Sequence, residues 1–413
     1  MSSKAISAQP TRKALFVLAV CLLVILTFFF WKSFQNGQAL FSNDGPLGAQ
    51  SAGHFKLPGA FFGIWNSLYW LGSEAGSFTP NITGLELFLL GPVGYTNFHG
   101  FVALFLLGFC SWLFFYQLRF NAVTCVLAAL AAAFNMNFVS NLGWGLSSRA
   151  LSLAMAFLAL AAIESSFRGR SIIKIILAGL ATGMSVSEGG DNGAIFSLFV
   201  AAFAFVRTWA EEGPAGERIV KGLGRVGIMA ACAAVLAAQT LNIFVEVAVK
   251  GIVGTEQKQL TPEQQWDWAT QWSLPKKETL RVIIPGIYGY KTQSGDGSQY
   301  WGGVGRDSRW TPEYGQNGAR SSGAGEYAGV LVVLLALWAL GQSIRSTGSP
   351  YSTVERRMIW FWAVAAVVAL GFAWGRYAPF YRIVFSLPYF SAVRNAMKFM
   401  HPFHLCLMVL FAF

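Results

Sequence analysis

Apolar stretches at bilayer-crossing length recur along this chain, and few folds can be built from them. The first, ALFVLAVCLLVILTFFFW, occupies residues 14–31. A transmembrane helix needs about 20 mainly apolar residues, so this run is long enough to span. Further spans are expected at roughly 83–116 (a surface helix plus one span), 122–139, 148–164, 171–187, 193–209, 225–248, 325–343, 357–375 and 398–413. A buried core of a soluble domain would not need so many such stretches. The expected fold is therefore an all-α polytopic membrane protein with about ten transmembrane helices in a single membrane domain over 1–413.

Composition agrees. Only 12% of the 413 residues are charged, against 54% hydrophobic, with 36 Phe and 15 Trp. Soluble domains carry roughly twice that charged fraction, about 25%. The net charge of +11 does not indicate nucleic acid. The basic residues are spread over the short gaps between apolar runs, as the positive-inside rule describes. The gaps containing Arg119, RGRSIIK, RTWAEEGPAGERIVKGLGR and RSTGSPYSTVERR all carry Lys or Arg. The alternate gaps NMNFVSNLGWGLSSR and SEGGDN carry one Arg and none. This asymmetry places the N-terminus, with Lys4, Arg12 and Lys13, in the cytoplasm and the alternate gaps outside. The first run is too long for a signal-peptide core and reads as an uncleaved anchor.

Two outer segments stand out: residues 32–84, rich in Gly, Ser and aromatics, and residues 250–323, the largest polar stretch. The second is too short and glycine-rich for a large core of its own. It is expected to cap the outer mouth of the bundle. The chain stops inside LMVLFAF, the pattern of a sequence that continues beyond it. All five cysteines lie in apolar runs and read as buried thiols. His401 and His404 share a helix face, but two ligands do not make a metal centre, so no metal site is expected.

Ionisable groups near spans are costly and mark sites by default. They gather on the outer side: Asp44, Arg149, Glu188, Asp191, Glu246, Glu326, Arg376, Arg382, Arg394 and Lys398. An outward cavity combining these charges would suit a substrate with an anionic head and a lipid tail. Arginines would grip phosphate and a carboxylate would accept a proton from a hydroxyl. Each residue also has a structural reading. SNDGP around Asp44 is a strong turn signal. SEGGDNG around Glu188 and Asp191 is a turn with a helix cap. Arg149 can snorkel to headgroups, and Glu246 can pair with Lys250 one helical turn away. Arg394 and Lys398 can serve as interfacial anchors. Trp266, Trp268 and Trp272 read either as interfacial residues or as a sugar-stacking surface. NIT at 81–83 matches a glycosylation sequon that matters only in a eukaryotic secretory host.

A set of short motifs occurs in a suggestive order. The first outer loop has an acidic residue followed by Gly63, Trp65 and Asn66. Later come the stretch from Ser273 to Tyr290, YWGG (Tyr300 to Gly303), the run from Glu326 to Leu340, and PYFSAVRNAMKFMHPF (Pro388 to Phe403). In this order the chain resembles the bacterial YfhO-like membrane proteins, among the GT-C-type glycosyltransferases. The resemblance implies a GT-C-like bundle in the bacterial cytoplasmic membrane. It implies transfer of a sugar from a polyprenyl-phosphate donor to an extracytoplasmic acceptor, with a divalent cation used by some members. It gives the catalytic position to Asp44 and the phosphate contact to Arg394. Arg149, Lys398, Glu188 and Asp191 complete the expected substrate-binding set. Many members pair two acids in the first loop, whereas position 43 here is Asn. Two other classes stand beside this one: a non-catalytic GT-C-like subunit that binds lipid or a membrane protein complex, and a secondary transporter. No internal repeat favours the transporter.

Overall fold

The computed structural model describes residues 12–40, 42, 44–61, 65–66, 73–74, 81–245, 261–289, 300–305, 325–345, 347–387 and 390–413. Glu246, Lys250, Gly63, Tyr290, Pro388 and much of 250–323 lie outside them. The described chain is helical apart from one antiparallel pair of two-residue strands, β1 (Trp65–Asn66) and β2 (Ser73–Glu74). Among the described residues, eight helical stretches have the length and apolar composition to cross a membrane. The protein is thus a multi-pass, all-α membrane protein.

The helices in chain order are α1 (Arg12–Phe29), α2 (Leu47–His54), α3 (Ile82–Gln117), α4 (Ala122–Ala133), α5 (Met136–Gly143), α6 (Ser148–Ser166) and α7 (Ser171–Gly189). They continue with α8 (Asp191–Trp209), α9 (Ala215–Ile243), α10 (Pro262–Ala269), α11 (Val330–Ile344), α12 (Thr353–Ala373), α13 (Tyr381–Phe385) and α14 (Met400–Ala412). α6 lies at the centre, packed on α3, α7 and α8, and α14 is buried between α4, α11 and α12. α1 and α9 lie at the periphery. Phe28 of α1 is 84% exposed and Val235 of α9 is 78% exposed, as suits surfaces that face lipid.

Local chemistry explains where the helices break and begin. α3 is broken at Gly91, which takes φ +67° just before Pro92. Proline lacks an N–H and clashes with the preceding turn, so one apolar run becomes a short helix followed by a longer one. The expected span at 122–139 divides at Asn135, whose side chain accepts from the Asn137 N–H and starts α5. α9 begins at Ala215, ten residues before the expected start, because Pro214 supplies a helix entry. Arg218, Lys221 and Arg225 therefore lie on its first turns. Arg225 reaches back to the Thr208 hydroxyl at 3.2 Å and stacks over Phe167 at 4.0 Å.

Close helix contact requires small residues at one interface. On α7, a Cβ at Gly179 would come within 2.7 Å of Cys232 Cβ, and one at Gly183 within 2.8 Å of the Ala233 carbonyl. This four-residue glycine spacing lets α7 and α9 approach at backbone distance.

The two ends of the bundle differ in charge. At one end, Arg207 grips Glu164 at 2.9 and 3.2 Å and lies over Phe167 at 4.2 Å. Lys174 donates to the Ser165 carbonyl at 2.6 Å, and Arg356 to that of Ser343 at 2.7 Å. Tyr351 ties the last residue, Phe413, to this end at 2.8 Å. The opposite end carries the turns before α2, α6, α8 and α14.

Described parts of the long polar segment lie on that opposite end. Leu274 N donates to Ala373 O at 2.9 Å, and Ala328 N to Val282 O at 3.0 Å. Arg376 staples the segment further, donating to the carbonyls of Thr270 at 3.1 Å and Asp267 at 2.8 Å. Trp266 packs edge-on against Phe385, with Arg382 over its ring at 5.3 Å.

Candidate functional site

A cavity of about 320 Å³ opens at this end. Its wall brings together Asp44, Arg149, Glu326, Arg394 and Lys398 with Asn137, Asn141, Trp272 and His401. These residues come from five separate stretches of sequence, and each is held by its own local structure.

Asp44 sits in the SNDGP turn, which is fixed at both ends. The Asp44 N–H donates to the Trp144 carbonyl at 2.8 Å, and the Gly45 N–H to the Ser42 hydroxyl at 3.0 Å. Pro46 then leads into α2. Asp44 is therefore both a turn residue and an exposed carboxylate on the cavity wall. Arg149 is in the first turn of α6, and its guanidinium donates to the Asn141 side chain at 2.7 Å. That contact aims it along the wall.

RNAMK carries the other two cations. Asn395 adopts a left-handed conformation, φ +70° and ψ 86°, and donates its backbone N–H to the Ala269 carbonyl at 2.8 Å. Asparagine tolerates this region better than most residues. The Met397 N–H bonds to the Trp272 carbonyl at 2.9 Å. Arg394 thereby lies over the Trp268 ring at 4.7 Å. Lys398, on the turn leading into α14, forms an ion pair with Asp191 at the start of α8.

Glu326, 3% exposed, is the second carboxylate of the wall. Asn137 Nδ2 donates to it at 3.3 Å, and His404 Nε2 lies 3.7 Å away. The amide orientations fix the imidazole roles. Asn135 Oδ1 accepts from the Asn137 N–H, so its Nδ2 donates to His404 Nδ1 at 3.1 Å. A neutral His404 therefore carries its proton on Nε2, facing Glu326. Asn137 Oδ1 in turn receives His401 Nδ1–H at 2.5 Å. His401 thus orients the Asn137 amide, whereas His404 Nε2 faces Glu326 without a hydrogen bond. Among the described residues no three His, Cys, Asp or Glu side chains come together as a metal-ligand set. Three cationic side chains against two carboxylates at the wall also do not match the donor set of a divalent ion.

Not every candidate residue reaches the cavity. Glu188 is absent from the wall. Its carboxylate accepts from the Ile82 N–H at 2.5 Å and the Thr83 hydroxyl at 2.6 Å, closing the N-terminus of α3. Asn81 of the NIT sequon caps the same helix through Gly84 N–H at 2.7 Å. Asp191 is likewise absent from the wall and pairs with Lys398, which lines it. Asn135, Asn137 and Asn141 were missed by the sequence reading. The signal was present, since polar amides in an apolar run tend to bond across helices.

The turn carrying Glu278 and Arg281 folds against Tyr300 and Gly303. Glu278 Oε2 accepts from Arg281 at 2.9 Å and the Tyr300 hydroxyl at 2.5 Å, and Oε1 from the Gly303 N–H at 2.5 Å. Burial raises the Tyr300 phenol well above its ordinary titration range, so it remains a donor.

No protein-family model, curated protein or solved structure matches this chain.

Proposed function

We propose that the protein is a GT-C-like membrane glycosyltransferase that moves a sugar from a polyprenyl-phosphate donor to an acceptor hydroxyl. The observation that carries this reading is the shared cavity. Asp44 and Glu326 line the same wall as Arg149, Arg394 and Lys398. A donor of this class brings a phosphate that must leave as an anion and an anomeric carbon that must be attacked. The cavity offers cations for the first and carboxylates for the second.

In the proposed reaction Asp44 accepts the proton of the acceptor hydroxyl. The hydroxyl oxygen bonds to the anomeric carbon as the bond to the lipid phosphate breaks, inverting that carbon. Arg394, with Arg149 and Lys398, stabilises the departing phosphate. Lys398 is held for this by Asp191, and Arg149 by Asn141. The leaving phosphate needs no proton, so one base suffices. Glu326, oriented by Asn137, is the acidic companion that the first loop lacks and positions the acceptor. Ten crossings are proposed: the eight long helices and the shorter apolar helices Val330–Ile344 and Ala396–Ala412. The distribution of Lys and Arg supports a basic end in the cytoplasm and a cavity on the outer face, and the membrane proposed is the bacterial cytoplasmic one.

The test uses purified protein in proteoliposomes containing undecaprenyl phosphate loaded with radiolabelled glucose, N-acetylglucosamine or arabinose. Release of label from the lipid is expected, falling at least about 100-fold in Asp44→Asn and Arg394→Ala. Unchanged release in Asp44→Asn would remove the base assignment. No release from any donor, together with stoichiometric co-purification in a larger complex, would replace the enzyme by a non-catalytic subunit.

A further inference from the structure

A second hollow, of about 430 Å³, lies at the same end as the cavity. The segment from Gln271 to Glu278 separates the two: Gln271 and Trp272 face the first, Pro275 to Glu278 the second. The functional reading above does not use this hollow. Its wall includes Lys276, Lys277, Tyr288, Trp301 and Tyr377, with backbone from Gly302 and Gly303.

We propose that this hollow binds an anionic saccharide. The first reason is the character of the wall. Leu, Ile, Val and Phe are absent from it among the described residues, although Leu280, Ile283 and Ile284 are exposed on the adjoining turn. A lipid chain would need aliphatic walls, which the described residues of the hollow do not supply. What its described residues present is mainly aromatic and other apolar surface, with a few polar groups from the lysines, the tyrosines and the backbone. The apolar face of a pyranose ring packs on indole or phenol, while its hydroxyls need backbone and side-chain partners.

The second reason is rigidity. Trp301 is 60% exposed, with its main chain and one face of its ring held by Tyr288. Its backbone N–H donates to the Tyr288 carbonyl at 2.9 Å, which fixes the main chain, and the two rings meet at 4.6 Å with a 49° tilt. Together they form an angled wall in place before any ligand arrives, which limits the ordering cost of binding. Tyr377 closes the other side, its hydroxyl donating to the Gly303 carbonyl at 3.4 Å.

The third reason is charge. Glu278 is the acidic residue of the wall, and three donors already occupy it, including the buried guanidinium of Arg281. Lys276 and Lys277 are exposed, so the hollow presents positive charge. Lysine ammonium groups suit carboxylate, sulfate or phosphate substituents on a sugar. The proposal stands whether or not the neighbouring cavity catalyses transfer.

The test uses the full chain in phosphatidylcholine nanodiscs, titrated calorimetrically with trigalacturonate, a sulfated heparin tetrasaccharide and neutral maltotriose. Saturable binding of at least one anionic probe is expected, with maltotriose at least about tenfold weaker. Trp301→Ala and the double substitution Lys276→Ala/Lys277→Ala should each weaken the anionic probe about tenfold or more, whereas Trp301→Phe should retain it. Failure of both anionic probes to bind overturns the proposal, as does equal binding of maltotriose or full affinity in Trp301→Ala. Lysine-dependent binding of phosphatidylglycerol that the saccharides do not displace would also overturn it, in favour of a lipid headgroup site.

Discussion

Lys398 and Asp191 are ion-paired, joining the turn that enters α14 to the first residue of α8, with side chains 11% and 20% exposed. Removing one member leaves the other charge short of solvent and without its partner. We expect Lys398→Met to destabilise the protein by about 3–5 kcal/mol, the usual cost of breaking a buried pair. The double substitution Asp191→Asn/Lys398→Met should lose less than the sum of the single changes, with a coupling of about 1–3 kcal/mol. Denaturant unfolding in detergent for the three variants measures this. Strict additivity would mean the pair contributes nothing as a pair.

Asn395 sets the direction of the chain between the two cations of RNAMK. Its left-handed backbone, φ +70°, is open to Gly and strained for a β-branched residue. Asn395→Gly is expected to keep near-native stability. Asn395→Val should lose about 1–3 kcal/mol, as is typical of a residue forced into this region. Because Arg394 and Lys398 flank the turn, Asn395→Val should also lower sugar release from the lipid donor by more than the unfolded fraction explains. Unfolding curves run beside the transfer assay separate the two effects.

How much of this was readable in the chain differs from element to element. α1, α6, α7 and α8 begin and end within a few residues of their apolar runs, because an uninterrupted run in hydrocarbon can only be a helix. A division of 83–116 into two helices is expected from the sequence, but its place at Gly91, like the division at Asn135, depends on one backbone angle and one side-chain cap, which average hydrophobicity does not reveal. At the cavity, the outer clustering of Asp44, Arg149, Arg394 and Lys398 could be read from alternating gaps. The surroundings of Glu326 could not. Its partners Asn137 and His404 are remote in sequence, and Asn135 bonds to a histidine 269 positions away. Only closure of α14 against α4, α5 and α11 brings them together. Glu188 shows the converse: a charged residue at the right end of a span whose partners are the N-terminal groups of another helix.

Gly179 and Gly183 define the contact between α7 and α9. Neither position has room for a Cβ without a shift, since backbone atoms of α9 lie within 3.0 Å of where each would stand. Gly183→Leu should therefore separate the helices and cost about 1–3 kcal/mol or more. Gly224, which has open space around its ideal Cβ, provides the control, and Gly224→Ala should be neutral or slightly stabilising. Thermal unfolding of both variants in the same detergent tests the difference, and equal melting temperatures would contradict the packing.

Glu188 separates a structural acid from a chemical one. Its two oxygens accept from the first turn of α3, where unsatisfied N–H groups and the helix dipole favour negative charge. Glu188→Ala leaves the Ile82 N–H and the Thr83 hydroxyl without their acceptor, at a cost of about 1–3 kcal/mol. Glu188→Gln keeps an acceptor oxygen and should cost less. Neither change touches the cavity wall, so sugar release corrected for folded fraction should stay near wild type. Asp44→Asn should show the opposite profile, with stability kept and release lost. Loss of release in Glu188→Gln at unchanged stability would return Glu188 to the substrate-binding set.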